Sequence, residues 1–248
     1  MRSQNPDQAS PAGTDALPGS AGEHLLQARH GSQDRARMFY DRQLLDHLNE
    51  RMREFVGHQS MMFIATADRT GACDCSFRAG PPGFVHVLNQ HTLLYPEYRG
   101  NGVNASLGNI SENPHVGLVF IDFFRDIIGL HVNGRAAIVE PAELRDLDVP
   151  PAVHDAAAMP NGLRPERWVQ VEVEEAYIHC SKHIPVLEAK DKHIHWGTDD
   201  TRRKGGDFFE ARQAPRPWVA AGETVVDLRE QTAQIDLRDR RDRRDRRS

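Results

Sequence analysis

Met61-Met62-Phe63-Ile64-Ala65-Thr66-Ala67, followed at once by Asp68-Arg69-Thr70-Gly71, decides how this chain is read. Seven largely apolar residues are too short for a stable helix, and the polar turn ending in glycine suits a hairpin, so the segment predicts a strand entering a second strand. That second strand runs from Ala72 to about Ala79 and is broken by Gly80-Pro81-Pro82-Gly83. Phe84 to Leu88 and Thr92 to Tyr95 follow as two more strands around Asn89-Gln90-His91. Val116 to Phe124 and Ile127 to Val139 read as long strands, the second placing Leu130 and Val132 inside with His131 and Asn133 outside. Trp168 to Cys180 alternates again, Val169, Val171 and Val173 against Gln170, Glu172 and Glu174.

Helices are fewer. Arg35 to Val56 repeats apolar residues at helical spacing and predicts one amphipathic helix. A short helix with Ala105, Leu107 and Ile110 on its apolar face ends at Asn113-Pro114, because the residue before proline avoids the helical region. Pro141 suits the first turn of another short helix. The expected fold is therefore mainly β, an antiparallel barrel, closed or nearly so, with a few flanking helices.

The 248 residues, 39% hydrophobic and 27% charged, suffice for one well-filled core. Residues 1–34, rich in Gly, Pro, Ser, Gln and Ala, read as a disordered arm, and residues 35–235 as the folded domain. Residues 236–248 hold seven Arg and four Asp and read as a solvated, disordered tail whose opposite charges neutralise one another. The net charge of -5 argues against nucleic-acid binding. No secretory signal pattern or bilayer-length apolar run is present, and the expected location is cytoplasmic. Three cysteines, Cys73, Cys75 and Cys180, are too few for a disulfide framework and fit a reducing compartment.

Chemistry concentrates in three places. Tyr95-Pro96-Glu97-Tyr98-Arg99-Gly100-Asn101-Gly102-Val103-Asn104 is a loop leading into a helix start. Arg99 supplies a forked cation, the glycines allow backbone to approach an anion, and Asn104 and Ser106 stand where unpaired NH groups favour phosphate. Turn geometry alone would also explain the glycines and asparagines. Ser76-Phe77-Arg78-Ala79-Gly80 ends a strand against a rigid turn, where a flat ring can lie along backbone donors, although a plain hairpin with a surface arginine reads the same way. His179-Cys180-Ser181-Lys182-His183, with His193, His195 and Trp196 beyond, matches no closed zinc pattern. This segment is expected to line a substrate side, where Lys182 offers a cation and His179 or His183 a proton.

The ordered set of segments from Met62 to Glu140 resembles the pyridoxamine 5'-phosphate oxidase-like FMN-binding split barrels. The resemblance rests on Phe-Ile-Ala-Thr-Ala at 63–67, the turn, the hairpin through Leu94-Tyr95-Pro96, Glu112-Asn113-Pro114, Val116-Gly117-Leu118-Val119-Phe120 and Val132-Asn133-Gly134-Arg135-Ala136. It implies FMN at a homodimer interface, with the ring edge near Ser76, Phe77, Arg78, Ala79 and Gly80. Further contacts are implied at Tyr95 and Pro96, and phosphate contacts at Arg99, Asn101, Asn104 and Ser106. It also implies an oxidoreductase acting on a small molecule, with a reduced nicotinamide as one candidate donor. The alternative is a flavin or haem carrier or sensor without turnover. Ser76 stands where the oxidase proper has an arginine, and its carboxy-terminal Arg-x-His signature has no counterpart, so pyridoxamine phosphate itself is not the expected substrate.

Overall fold

A computed structural model describes residues 17–198, 200–203, 205–216 and 218. The chain divides into two units, residues 1–199 and residues 200–248, where one domain over 35–235 was expected. The described part of the second unit holds two short 3-10 turns, Thr201–Arg203 and Ala211–Gln213. Residues 1–16 of the expected arm and the whole 236–248 tail lie outside the described residues.

In the first unit the strands are β1 (Leu44–Leu45), β2 (Met61–Ala67), β3 (Cys73–Ala79), β4 (His86–Asn89), β5 (Thr92–Glu97), β6 (His115–Asp122), β7 (Ile128–Val139) and β8 (Arg167–His179). They form one antiparallel sheet in the order β3-β2-β6-β7-β8-β5-β4, with β1 paired to β8. The sheet is not closed, since β3 and β4 are its two ends. This is a mainly β, split-barrel arrangement, and the correction is only that the expected near-closure stops short of strand pairing.

Alternation places the core. Met62 and Ile64 of β2, Leu118 and Phe120 of β6, Leu130 and Val132 of β7, and Val169 and Val171 of β8 are all buried on one side. On the other side, at one end of the sheet, Leu94, Val139 and Trp168 are covered by Leu144 of the 3-10 turn Glu143–Asp146 and by Val153. β5 runs on through Pro96, which pairs with Trp168 of β8. On its other side β4 reaches only as far as Leu94, so the missing NH of Pro96 costs no ladder bond.

The helices are α1 (Ala21–His30), α2 (Gln33–Gln43), α3 (Glu50–His58), α4 (Ala105–Glu112) and α5 (Pro151–Ala158). Three expectations need correction. The single helix over 35–56 is broken, because Leu44 and Leu45 pair with Tyr177 and Ala176 of β8 and Asn49 then caps a new helix by accepting from the Met52 NH. Part of the expected arm is helical: Ser20 and Glu23 form a reciprocal capping box that starts α1, although no residue of α1 is buried. The proline-led helix is α5, begun by Pro151, while Pro141 only precedes a 3-10 turn.

The β7–β8 register shifts between Asn133 and Gly134, leaving Glu174 unpaired and returning Ala176 to the core. A Cβ on Gly134 would run into the Glu172 carbonyl oxygen of the neighbouring backbone, so only glycine fits there. Gly134→Ala is expected to lower stability by about 1–3 kcal/mol, as overpacking does, measured by urea unfolding.

Candidate functional site

β3 is an end strand whose side chains alternate: Cys73, Cys75 and Phe77 are exposed, while Asp74, Ser76 and Arg78 are partly buried. The latter three face a cleft of about 680 Å³ that is also lined by the end of β5, the 100–104 loop and the start of α4. That volume is in the usual range for small-molecule and cofactor sites.

Arg78 and Glu97 hold this region together. Arg78 Nε donates to Glu97 Oε1 at 2.7 Å, so an ion pair joins the ends of two strands that share no ladder. Both side chains are largely buried, at 21% and 10% exposed. Burial raises the Glu97 pKa above its ordinary value, and Arg78 opposes that rise. Beneath them Tyr95 is wholly buried with its hydroxyl unpartnered, and burial, then Glu97, pushes its pKa up.

The loop beyond β5 is shaped by its own side chains. Asn101 Oδ1 accepts from the Val103 NH at 2.9 Å, Gly102 has φ +85°, and Asn104 adopts the left-handed conformation at φ 56°. A Cβ on Gly100 or Gly102 would meet nothing within 4 Å, so this backbone is open to a ligand. Asn104 makes no side-chain cap, which leaves NH groups of the first α4 turn for another acceptor. Ser106, nearly fully buried, donates to Asp74 Oδ2 at 3.2 Å, and Ser76 Oγ donates to the same oxygen at 2.7 Å. A carboxylate therefore already stands beside the α4 start. Asn109 Nδ2, donating to Thr66 Oγ1 at 3.0 Å, ties α4 to β2.

Of the expected cofactor residues, Ser76, Phe77, Arg78, Ala79, Pro96, Asn101, Asn104 and Ser106 line this one cleft. Gly80 and Tyr95 do not: Gly80 lets Phe84 pack where a side chain would clash, and Tyr95 lies in the core. Arg99 lines a smaller neighbouring cleft with Arg164 and Arg167. The three catalytic candidates are not at the cleft either. His179 Nδ1 lies 2.9 Å from His131 Nε2 on the outer face, and Lys182 and His183 sit exposed in a 3-10 turn. His179 ends β8 and the other two follow it, roughly 40 Å along that strand from Arg167. From the same histidine-rich segment, His195 and Trp196 do reach the cleft.

Asp74, Glu97, Glu166 and Arg167 are wall residues that sequence reasoning did not single out. Among the described residues no group of three or more His, Cys, Asp or Glu is placed to hold a metal ion. The three cysteines are exposed free thiols.

An open antiparallel split barrel with a cleft at the strand ends, walled by an end strand and a glycine loop, is the class defined by these features. Residues 48–180, more than half of the chain, match the family model for pyridoxamine 5'-phosphate oxidase, and the chain belongs to that family. No curated protein matches the sequence. Among solved structures, a putative pyridoxamine 5'-phosphate oxidase from Lactobacillus delbrueckii is 19% identical, with 54% of this chain and 95% of that one covered and a TM-score of 0.39. HupZ from Group A Streptococcus is 17% identical, covering 57% of this chain and 98% of that one at a TM-score of 0.37. HutZ, a haem storage protein from Vibrio cholerae, is 16% identical, with 53% and 94% covered and a TM-score of 0.34.

The raised Glu97 pKa fixes the sign of a pH effect. The folded protein holds this proton more tightly than the unfolded chain, so the contribution is favourable below about pH 4.5 and lost as pH rises through the folded value. Glu97→Gln is expected to lose that pH dependence: the urea midpoint of the native protein should fall relative to the variant's as pH rises from 4 to 7. Parallel pH profiles would contradict the assignment.

Proposed function

We propose that the main cleft holds FMN and that the protein is a flavin-dependent oxidoreductase acting on a small molecule other than pyridoxamine phosphate. The observation that carries this reading is the joining, in one cleft, of the end strand at Ser76 to Ala79 with the open loop at Gly100 to Asn104. Half of the backbone groups of an end strand point away from its single neighbour, so β3 offers donors and acceptors to the edge of a ring. Ala79, Pro96, Val103 and Leu107 supply apolar wall, and Trp196 an aromatic one. A bound flavin supplies two-electron redox chemistry, taking a hydride from an organic donor or a reduced nicotinamide and passing electrons on. The chain's own residues hold the ring and exclude water, and His195 is the cleft imidazole in position to move a proton.

The alternative, a haem or flavin carrier without turnover, has one observation in its favour. His179 and His131 form a half-buried imidazole pair on the outer face of the sheet, with His131 stacked on Tyr177 at 4.7 Å. One spectrum separates the two. Purified protein is expected to show flavin absorbance, bleached by substrate or nicotinamide, with FMN released on denaturation and identified by mass. A haem spectrum lost in His179→Ala supports the carrier, and colourless protein that ignores added FMN removes both flavin readings.

The same account includes a homodimer. Phe63 and Phe77, 37% and 54% exposed with ring centroids 5.5 Å apart, form an uncovered aromatic patch on β2 and β3. A second copy covering this face is expected, so light scattering should give a dimer for the native protein and a monomer for Phe63→Asp. A native monomer that binds flavin tightly would overturn the dimer.

A further inference from the structure

Away from the main cleft, the amino-terminal helices enclose a separate space against the outer face of the sheet. α2 leads straight into β1, which pairs with β8, so the helical pair is drawn over the β7–β8 ladder. Phe39 of α2 packs against Tyr177 of β8, with ring centroids 5.6 Å apart and the rings nearly perpendicular. Gln27 of α1 donates to the Tyr40 hydroxyl at 2.7 Å. Neither helix has a buried residue, so a packed core does not fill the space beneath them. That space is a cavity of about 320 Å³, at the lower end of the range for small-molecule sites.

The walls of this cavity share one chemical character. Phe39, Tyr40 and Tyr177 supply three aromatic rings, Glu23 of α1 and Glu175 of β8 supply two carboxylates, and no lysine, arginine or histidine lines it. Each carboxylate is fixed by a hydrogen bond yet has no ion pair among the described residues. Glu23 Oε1 accepts from the Ser20 NH at 3.1 Å within the capping box, and Glu175 Oε2 accepts from Asn133 Nδ2 at 3.1 Å. Gly19, at φ +95°, keeps the helix side open, because a Cβ there would lie 2.6 Å from Glu23 Oε2 and 3.1 Å from the Tyr40 hydroxyl. Behind the wall His131 stacks on Tyr177 at 4.7 Å. Burial, with His179 adding to it, holds the His131 pKa below its ordinary value, so this neighbour is a neutral ring near pH 7. Aromatic faces attract cations, and the two carboxylates add full negative charges.

We propose that this cavity binds a small organic cation, an alkylammonium group set against the three rings with Glu23 and Glu175 as its counter-charges. Bound there, the cation joins α1 to β8 and fastens the amino-terminal helices to the sheet. The aromatic walls select an organic cation, whose methyl groups lose little on leaving water, over a metal ion, which needs several oxygen or nitrogen ligands. The cavity shares no lining residue with the main cleft, so the proposal stands whether or not that cleft holds a flavin.

The test titrates the full chain calorimetrically with choline at low ionic strength, where saturable binding at millimolar concentration is expected. The uncharged isostere of choline, with carbon in place of the nitrogen, fills the same space without the charge and should bind at least about tenfold more weakly. That comparison needs no variant. Glu23→Gln and Glu175→Gln each retain an acceptor oxygen for the structural hydrogen bond, so the fold is kept, which circular dichroism checks. Each is expected to weaken choline binding by roughly threefold to tenfold. Potassium chloride at the same concentration as choline should not displace it. No saturable binding of choline, equal binding of the isostere, unchanged affinity in either glutamine variant, or displacement by equal potassium overturns the site.

Discussion

Everything in this fold depends on β8, whose thirteen residues pair with three other strands and whose alternation changes parity once, at the unpaired Glu174. It meets β7 at eleven positions, β5 at six and β1 at two. A slip of one residue would turn Val169 and Val171 to the outside and break all three ladders at once. The register shift beside Gly134 moves the core-facing positions of β8 from Val169, Val171 and Val173 to Ala176, at the cost of requiring glycine there. Arg167 stands at the first position of this strand, so the ladder that organises the core also delivers a cation to the cleft.

The sheet's two ends, β3 and β4, do not meet by hydrogen bonding, and the cleft exists because they do not. Closure by strand pairing would use the outward backbone groups of β3 and bury the space beside Ser76 and Ala79. The Arg78–Glu97 pair crosses that region through side chains instead. A largely buried ion pair contributes little net stability relative to apolar packing, but removing one partner strands the other, which typically costs about 3–5 kcal/mol. Its value here is positional: it holds the ends of β3 and β5 at a fixed separation while leaving the strand edge open.

What could be read from the sequence follows from the range of the physics involved. The strands from Met61 to Val139 carry period-two alternation or turn residues within a few positions, and all of them appear, with β4 beginning two residues late at His86, β5 running two residues longer to Glu97, and β6 ending two residues early at Asp122, whose carboxylate accepts from the Phe124, Arg125 and Asp126 NH groups. The break at Leu44 was not legible, because helical periodicity continues through it and only the distant Tyr177 and Ala176 explain the switch to strand. In the same way, Ser76 to Ala79, Asn101, Asn104 and Ser106, singled out from local pattern, line the cleft, while Glu97, Glu166 and Arg167 were not singled out because strand neighbours far apart in sequence bring them there. Arg99 was recognised as a forked cation beside a glycine loop, but its company, Arg164 and Arg167, is set by the turn that leads into β8. His179, Lys182 and His183 share a sequence segment with His195 and Trp196, yet only the latter two line the cleft, and proximity in sequence gave no sign of that division.

Whether the main cleft holds a flavin with its ring against β3 is decided by a crystal structure of the protein grown with FMN. Ring density is expected along Ser76 to Ala79, near Trp196. A flavin bound elsewhere on the protein, or crystals at saturating FMN whose cleft contains no flavin, would contradict it.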